Sequence, residues 1–68
     1  MKEIKIDTEI IKLDSFLKWC GAVSIGSEAK AAIQNGQVKL NGETILLRGK
    51  KLKKNDKIEF NGQSYIIV

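Results

Sequence analysis

The segment from Leu13 to Gly42 constrains the fold more than any other part of the sequence. Its first apolar residues recur at intervals of three and four positions, the spacing of one face of an α-helix. These residues are Leu13, Phe16, Leu17 and Cys20. Gly21 follows as the expected C-terminal cap, because glycine adopts a left-handed backbone without a steric penalty. The segment therefore opens with a predicted short helix that carries Lys18 on its outer side.

A second short helix is predicted after the tight turn Ser24-Ile25-Gly26-Ser27. Ser24 or Ser27 is the expected N-cap, since a serine hydroxyl can accept a hydrogen bond from the first helical N–H groups. The helix is expected to run from Ser27 or Glu28 to Asn35, with Lys30 facing outward. Its inner residues are small or apolar: Ala29, Ala32 and Ile33.

Strands are predicted on both sides of the two helices. Lys2 to Ile6 alternates polar and apolar residues, which is typical of a half-buried strand. Asn41-Gly42 is a strong hairpin signal, with a return strand expected over Glu43 to Leu47. Two more strands are expected over Lys57–Phe60 and from Gln63 to Val68, joined by a second hairpin turn at Asn61-Gly62. This order predicts an α+β fold, with two short packed helices against a small, mostly antiparallel twisted β-sheet.

The length of 68 residues fits one domain over residues 1–68, with a small core and no room for an enclosed substrate pocket. No apolar run approaches the ~18 residues needed to cross a bilayer, and the first residues lack the apolar segment of a signal peptide. One cysteine, Cys20, cannot form an internal disulfide. A cytoplasmic location without membrane contact is the simplest expectation.

Basic residues are concentrated in the second part of the chain. Residues 1–28 contain four lysines and five acids, whereas residues 29–68 contain eight basic residues and three acids. The ten residues from Arg48 to Lys57 contain six basic side chains and one acid, Asp56. This asymmetry favours a binding face for an anionic partner. The segment Arg48-Gly49-Lys50-Lys51 is predicted to be a basic loop, and Leu52 is its apolar anchor.

The sequence offers little for catalysis. It has no histidine, which is the commonest general base and metal ligand. Cys20 has no histidine partner to activate it as a nucleophile. Gly26 and Gly36 do not form a phosphate-binding fingerprint. We therefore expect no enzyme activity, no cofactor, no metal and no small-molecule substrate.

An ordered set of residues resembles a known RNA-binding family. The pattern comprises L-D-x2-L at 13–17, A-K-x2-I-x2-G-x-V-x-L-N-G at 29–42, R-G-x2-L at 48–52 and N-D-x-I at 55–58. It is similar to the domain named after small-subunit ribosomal protein four, the S-four or S4 domain. The resemblance covers roughly residues 12–60. The whole chain looks most like the small stand-alone bacterial S4 proteins of the YbcJ/YaaA type.

The resemblance implies a bacterial, non-catalytic module whose helix pair, the alpha-L motif, binds structured RNA. The implied target is ribosomal RNA or a ribosome assembly intermediate. Many S4 domains have Ser-Arg where this chain has Ile25-Gly26, and an arginine where it has Lys12, which implies a different or weaker RNA contact. The candidate RNA-binding residues are Lys12, Lys18, Ser24, Ser27, Lys30, Lys39, Arg48, Lys50, Lys51, Lys53 and Lys54.

Several alternatives stay open from the sequence. Each lysine on an outer face is also compatible with simple solvation, and Ser24 and Ser27 with simple helix capping. Trp19 is compatible with stacking on a base or with covering the edge of the core. For the whole chain, the alternatives are a protein-interaction adaptor whose basic loop docks on an acidic partner, or non-specific nucleic-acid binding.

Overall fold

The computed structural model describes residues 1–68 and contains two helices and seven strands. In chain order they are β1 (Lys2–Ile4), β2 (Ile10–Lys12), α1 (Leu13–Trp19), α2 (Gly26–Gln34), β3 (Val38–Leu40), β4 (Glu43–Thr44), β5 (Lys51–Lys53), β6 (Lys57–Phe60) and β7 (Gln63–Ile67). Five strands form one sheet in the order β1-β7-β6-β3-β4. Strands β2 and β5 form a separate two-stranded unit, here called the ribbon. The predicted α+β class is confirmed.

The five-stranded sheet is mostly antiparallel, as predicted. Only β1 and β7 pair in parallel. Two Asn-Gly turns join neighbouring strands, with φ of 52° and 88° at Asn41 and Gly42 and of 53° and 77° at Asn61 and Gly62. Positive φ at both central residues defines the type I′ turn, whose twist matches that of the flanking strands. The sequence therefore identified both hairpins correctly.

The two helices pack together and bury the stripes that their spacing predicts. Helix α1 buries Leu13, Phe16 and Leu17, and the ring of Phe16 meets Tyr65 of the sheet edge-on, with centroids 6.1 Å apart. Helix α2 buries its small inner residues, Ala29, Ala32 and Ile33. Cys20 lies at the margin of the core rather than within it. Gly21 has φ of 81°, as expected for the residue that ends α1.

The predicted serine cap of α2 is wrong. The helix begins at Gly26, so that Ile25 is the N-cap and no side chain caps the helix. Ser24 therefore lies one position too early, and Ser27 lies inside the first turn. The carboxylate of Glu28 instead accepts a hydrogen bond from the backbone N–H of Ser24 at 3.3 Å.

Two further local predictions need correction. The return strand expected to reach Leu47 ends at Thr44, because Ile45 turns inward against the core. The segment expected to be a loop contains β5, which pairs with the unpredicted strand β2. Strands of three residues with a single inward-facing side chain give too short an alternation to be recognised in a sequence. Neither helix has the length and apolarity required to cross a membrane.

The first prediction concerns Leu52, whose side chain is completely buried. Leu52→Ala should lower the free energy of unfolding by about 2–5 kcal/mol, since it removes apolar contacts and leaves a cavity. Leu47→Ala is the matched control: this leucine is 66% exposed, and the change should stay within about 0.5 kcal/mol. Urea unfolding measures both. Similar effects of the two substitutions would contradict the assignment of Leu52 to the core.

Candidate nucleic-acid interface

The ribbon presents a row of lysines to solvent. Its strands pair with Ile11 opposite Leu52 and Lys12 opposite Lys51. Leu52 is buried and Ile11 is half-buried. Because neighbouring side chains of a strand point to opposite faces, Lys12, Lys51 and Lys53 share the other face of the ribbon. These three exposed lysines are called the ribbon face below.

Lys12 and Lys51 lie directly opposite one another on the two strands of the ribbon. The N–H of Leu13 donates to the carbonyl oxygen of Lys50 at 2.9 Å, so a ladder hydrogen bond lies directly beside the Lys12–Lys51 pair. Antiparallel pairs alternate, so Lys12 and Lys51 form a non-hydrogen-bonded pair, in which side chains approach more closely. Like charges in this arrangement are destabilising. An anion bound to the ribbon face would relieve that repulsion.

The basic loop before β5 is held against the start of α1. The N-cap of α1 is Lys12, which makes no side-chain capping bond. The first N–H groups of the helix are satisfied by the loop instead: Leu13 donates to the carbonyl of Lys50, and Asp14 donates to the carbonyl of Arg48 at 3.1 Å. Helix termini require such partners. These two bonds fix Arg48 and Lys50 beside the ribbon face.

Almost none of the positive charge is neutralised within the chain. The one ion pair joins Lys53 Nζ to Asp56 Oδ1 at 3.8 Å, and Lys53 remains 75% exposed in it. The other eleven of the twelve basic side chains have no carboxylate oxygen within 4.0 Å. The ribbon face and the adjacent loop thus carry charge that is available to a partner.

A buried carboxylate that the sequence interpretation missed connects the ribbon to the β3–β4 hairpin. Asp56 is 8% exposed, and its oxygens accept hydrogen bonds from the backbone N–H of Lys53 at 2.9 Å and from Asn41 Nδ2 at 3.2 Å. Asn41 Oδ1 in turn accepts a bond from the backbone N–H of Lys57 at 2.9 Å. The sequence does show two turns, Asn41-Gly42 and Asn55-Asp56, each with side chains that can form hydrogen bonds. It does not show that the two turns come into contact in the fold.

The hairpin and β5 enclose a polar cleft of about 360 Å³. Lys50, Lys51 and Lys53 line one part of it. Asn41 and Glu43 of the hairpin lie on the other side. The cleft therefore extends the cationic surface from the ribbon face towards the hairpin.

The remaining candidate residues are exposed but lie elsewhere. Lys18 is on α1, and Lys54 is in the turn after β5. Ser24, Ser27 and Lys30 belong to the first part of α2 and the turn before it. Lys39 belongs to the five-stranded sheet, where its partner on β6 is Glu59. The ribbon and its loop thus bring together Lys12, Arg48, Lys50, Lys51 and Lys53, and Lys39 is opposed by an acid.

Trp19 links the end of α1 to the chain after β1. Its indole N–H donates to the carbonyl oxygen of Lys5 at 2.8 Å, and 52% of the side chain is exposed. A buried or half-buried indole usually requires such a partner. The hydrogen bond favours the interpretation of Trp19 as a cover for the edge of the core.

Comparisons with known proteins agree with this architecture. A family model described as the S4 domain matches residues 4–68. The "Probable ribosome maturation protein RlbA" of Bacillus subtilis (strain 168) is 39% identical over 59 residues, which cover 87% of this chain and 83% of that protein. The 30S ribosomal protein S4e of Thermoplasma acidophilum has a crystal structure with a TM-score of 0.69 and 27% identity over 91% of this chain. The chain corresponds to 33% of the length of S4e.

The chain therefore belongs to the S4 domain family, as its sequence pattern indicated.

The second prediction concerns Asp56. Asp56→Asn replaces one of the two acceptor oxygens by an NH2 group. The backbone N–H of Lys53 and the Nδ2 group of Asn41 both still need an acceptor, so one of them loses its hydrogen bond. We expect a loss of about 1–3 kcal/mol in the free energy of unfolding and faster amide hydrogen exchange at Lys53. Glu59→Gln, the same change of charge at an exposed position, should have little effect on either measurement. Equal effects would show that net charge, rather than this network, explains the result.

The third prediction concerns Cys20. Burial raises the pKa of its thiol above the ordinary 9.0, and burial likewise raises the pKa of the Tyr65 phenol above 10.0. At pH values well below about 9 the thiol is protonated in both the folded and unfolded states, so its contribution to stability does not change with pH. At higher pH the unfolded chain loses its proton first, and the free energy of unfolding should fall. Urea unfolding from about pH 8 to about pH 10 should show a shallower fall in Cys20→Ala. An unchanged fall would contradict this role of the thiol.

Proposed function

We propose that this chain is a non-catalytic module that binds structured RNA through the ribbon face and the adjacent basic loop. The observation that carries the proposal is that Lys12 lies directly opposite Lys51 and that neither forms an ion pair with a carboxylate. Such a pair costs folding energy in the free protein. A bound polyanion removes this repulsion, because its negative charges lie close to both lysines.

Ribosomal RNA, or an assembly intermediate that contains it, is the proposed target. Family membership supports RNA as the ligand. Two similar proteins support the ribosome as its location: one is named a probable ribosome maturation protein, and the other is a 30S ribosomal protein. Binding by this chain to a particular ribosomal RNA segment is our extension of these likenesses.

Contacts to the phosphate backbone should dominate this binding. Lysines act on phosphates as point charges, whereas Arg48 can form two parallel hydrogen bonds. Each neutralised phosphate releases counterions, which makes affinity fall with salt. Phe16, Phe60 and Tyr65 lie on separate elements, and Phe16 and Tyr65 are buried, so they do not form a row of stacking platforms. We therefore propose that the module recognises RNA shape and charge more than base edges.

The other candidate residues differ in how much they can add to the interface. Lys18, Lys30 and Lys54, with Ser24 and Ser27, are exposed and can extend the interface along the helices and the β5–β6 turn. Lys39, opposite Glu59, contributes less free charge. A protein-interaction adaptor is the alternative function, and it predicts no preference for folded RNA over another polyanion such as heparin.

The fourth prediction tests the ribbon face with variants of equal charge. Lys12→Gln/Lys51→Gln should weaken binding to a folded ribosomal RNA fragment and lower the slope of log affinity against log salt by about 2. Lys2→Gln/Lys57→Gln is the control, because these exposed lysines lie on the five-stranded sheet. It should alter affinity much less. Binding is measured by fluorescence anisotropy across a salt series.

A matched DNA duplex and heparin complete this experiment. Preference for folded RNA over both supports the proposed function. Equal binding to RNA and the DNA duplex indicates non-specific nucleic-acid binding, and equal binding to heparin favours the adaptor. Equal losses in the two double variants would mean that net charge, and not the ribbon face, determines affinity.

A further inference from the structure

Leu46 and Leu47 form an exposed apolar pair that RNA binding leaves unexplained. Their side chains are 59% and 66% exposed. The other four leucines are buried or half-buried: Leu13, Leu17, Leu40 and Leu52. Adjacent exposed leucines are unusual in a protein with so small a core, because covering them with a partner is favourable.

The backbone holds this pair in place from both ends. On one side, the N–H of Ile45 donates to the carbonyl of Val38 at 3.1 Å. On the other side, the N–H of Lys50 donates to the carbonyl of Leu47 at 3.1 Å. The carbonyls of Arg48 and Lys50 are bonded to the start of α1. The two leucines are therefore presented on a fixed segment, so that binding requires little further ordering.

The pair lines an open groove of about 690 Å³ at the C-terminal end of α2. The lining is completed by Gln34, Gly49 and three cations, Arg48, Lys50 and Lys51, and it contains no acid. None of these cations has a carboxylate oxygen within 4.0 Å. An occupant that matches this groove must bring both negative charge and aliphatic side chains.

We infer that this groove, here called the leucine groove, binds an acidic protein segment that contains apolar residues. A protein segment supplies carboxylates for the three cations and side chains that cover Leu46 and Leu47. RNA supplies the charge, but its phosphates gain nothing from an aliphatic pair. A second copy of this chain is disfavoured, because three cations would face three cations across a symmetric interface. The inference does not depend on the proposed function, and because Arg48, Lys50 and Lys51 belong to both surfaces, the segment would compete with RNA for them.

Two labelled peptides of equal length and charge provide the test. One consists of glutamates around two adjacent leucines, and the other has serines in place of those leucines. The leucine peptide should bind the wild-type chain at least about tenfold more tightly, and it should shift the methyl resonances of Leu46 and Leu47. Leu46→Ser/Leu47→Ser should abolish the preference between the peptides. Because both side chains are exposed, this variant should keep the wild-type fold, which circular dichroism checks.

Ile25→Ser/Val68→Ser is the matched control, since these exposed apolar residues lie outside the groove. It should retain the preference for the leucine peptide. Equal affinity of the wild type for both peptides would overturn the inference, as would methyl shifts confined to other residues. Loss of RNA binding in the leucine variant would assign the groove to RNA. A dimer that dissociates in that variant on sedimentation would assign it to a second copy.

Discussion

Burial of Leu52 fixes the direction of the lysines on either side of it. Its side chain is completely excluded from solvent, and a strand that directs one residue inward must direct its neighbours outward. Lys51 and Lys53 therefore point away from the core whatever their mutual repulsion. The pairing with β2 then places Lys12 directly opposite Lys51. The burial of one leucine side chain thus determines on which face of the ribbon the lysines lie.

The remaining connections attach the backbone of this charged surface to the rest of the fold. The start of α1 takes its hydrogen-bond acceptors from the basic loop, so the position of Arg48 and Lys50 depends on the helix. Asp56 links the ribbon to the β3–β4 hairpin through Asn41. Apart from Lys53, none of these cations is neutralised by an acid of the chain. An uncompensated set of charges on one surface suits a polyanion, which is consistent with membership of the S4 domain family.

The sequence predicted the elements that have a strong periodicity or turn signal. Leu13, Phe16 and Leu17 identified α1, and the two Asn-Gly pairs identified the hairpins. It did not predict the ribbon, because three-residue strands such as β2 and β5 owe their existence to tertiary pairing. The Asp56–Asn41 contact was missed for the same reason, since it joins residues 15 positions apart. The charged residues were therefore known from the sequence, but their arrangement on one face was not.

The most direct test of the account maps the contact surface residue by residue. An NMR titration of the isotopically labelled chain with a folded ribosomal RNA fragment would follow every backbone amide. The account predicts the largest shifts in Lys12, Arg48 and the residues of β5, and small shifts around Lys39 and Glu59 on the five-stranded sheet. The largest shifts on that sheet, or none anywhere at low salt, would contradict the claim that the ribbon binds RNA.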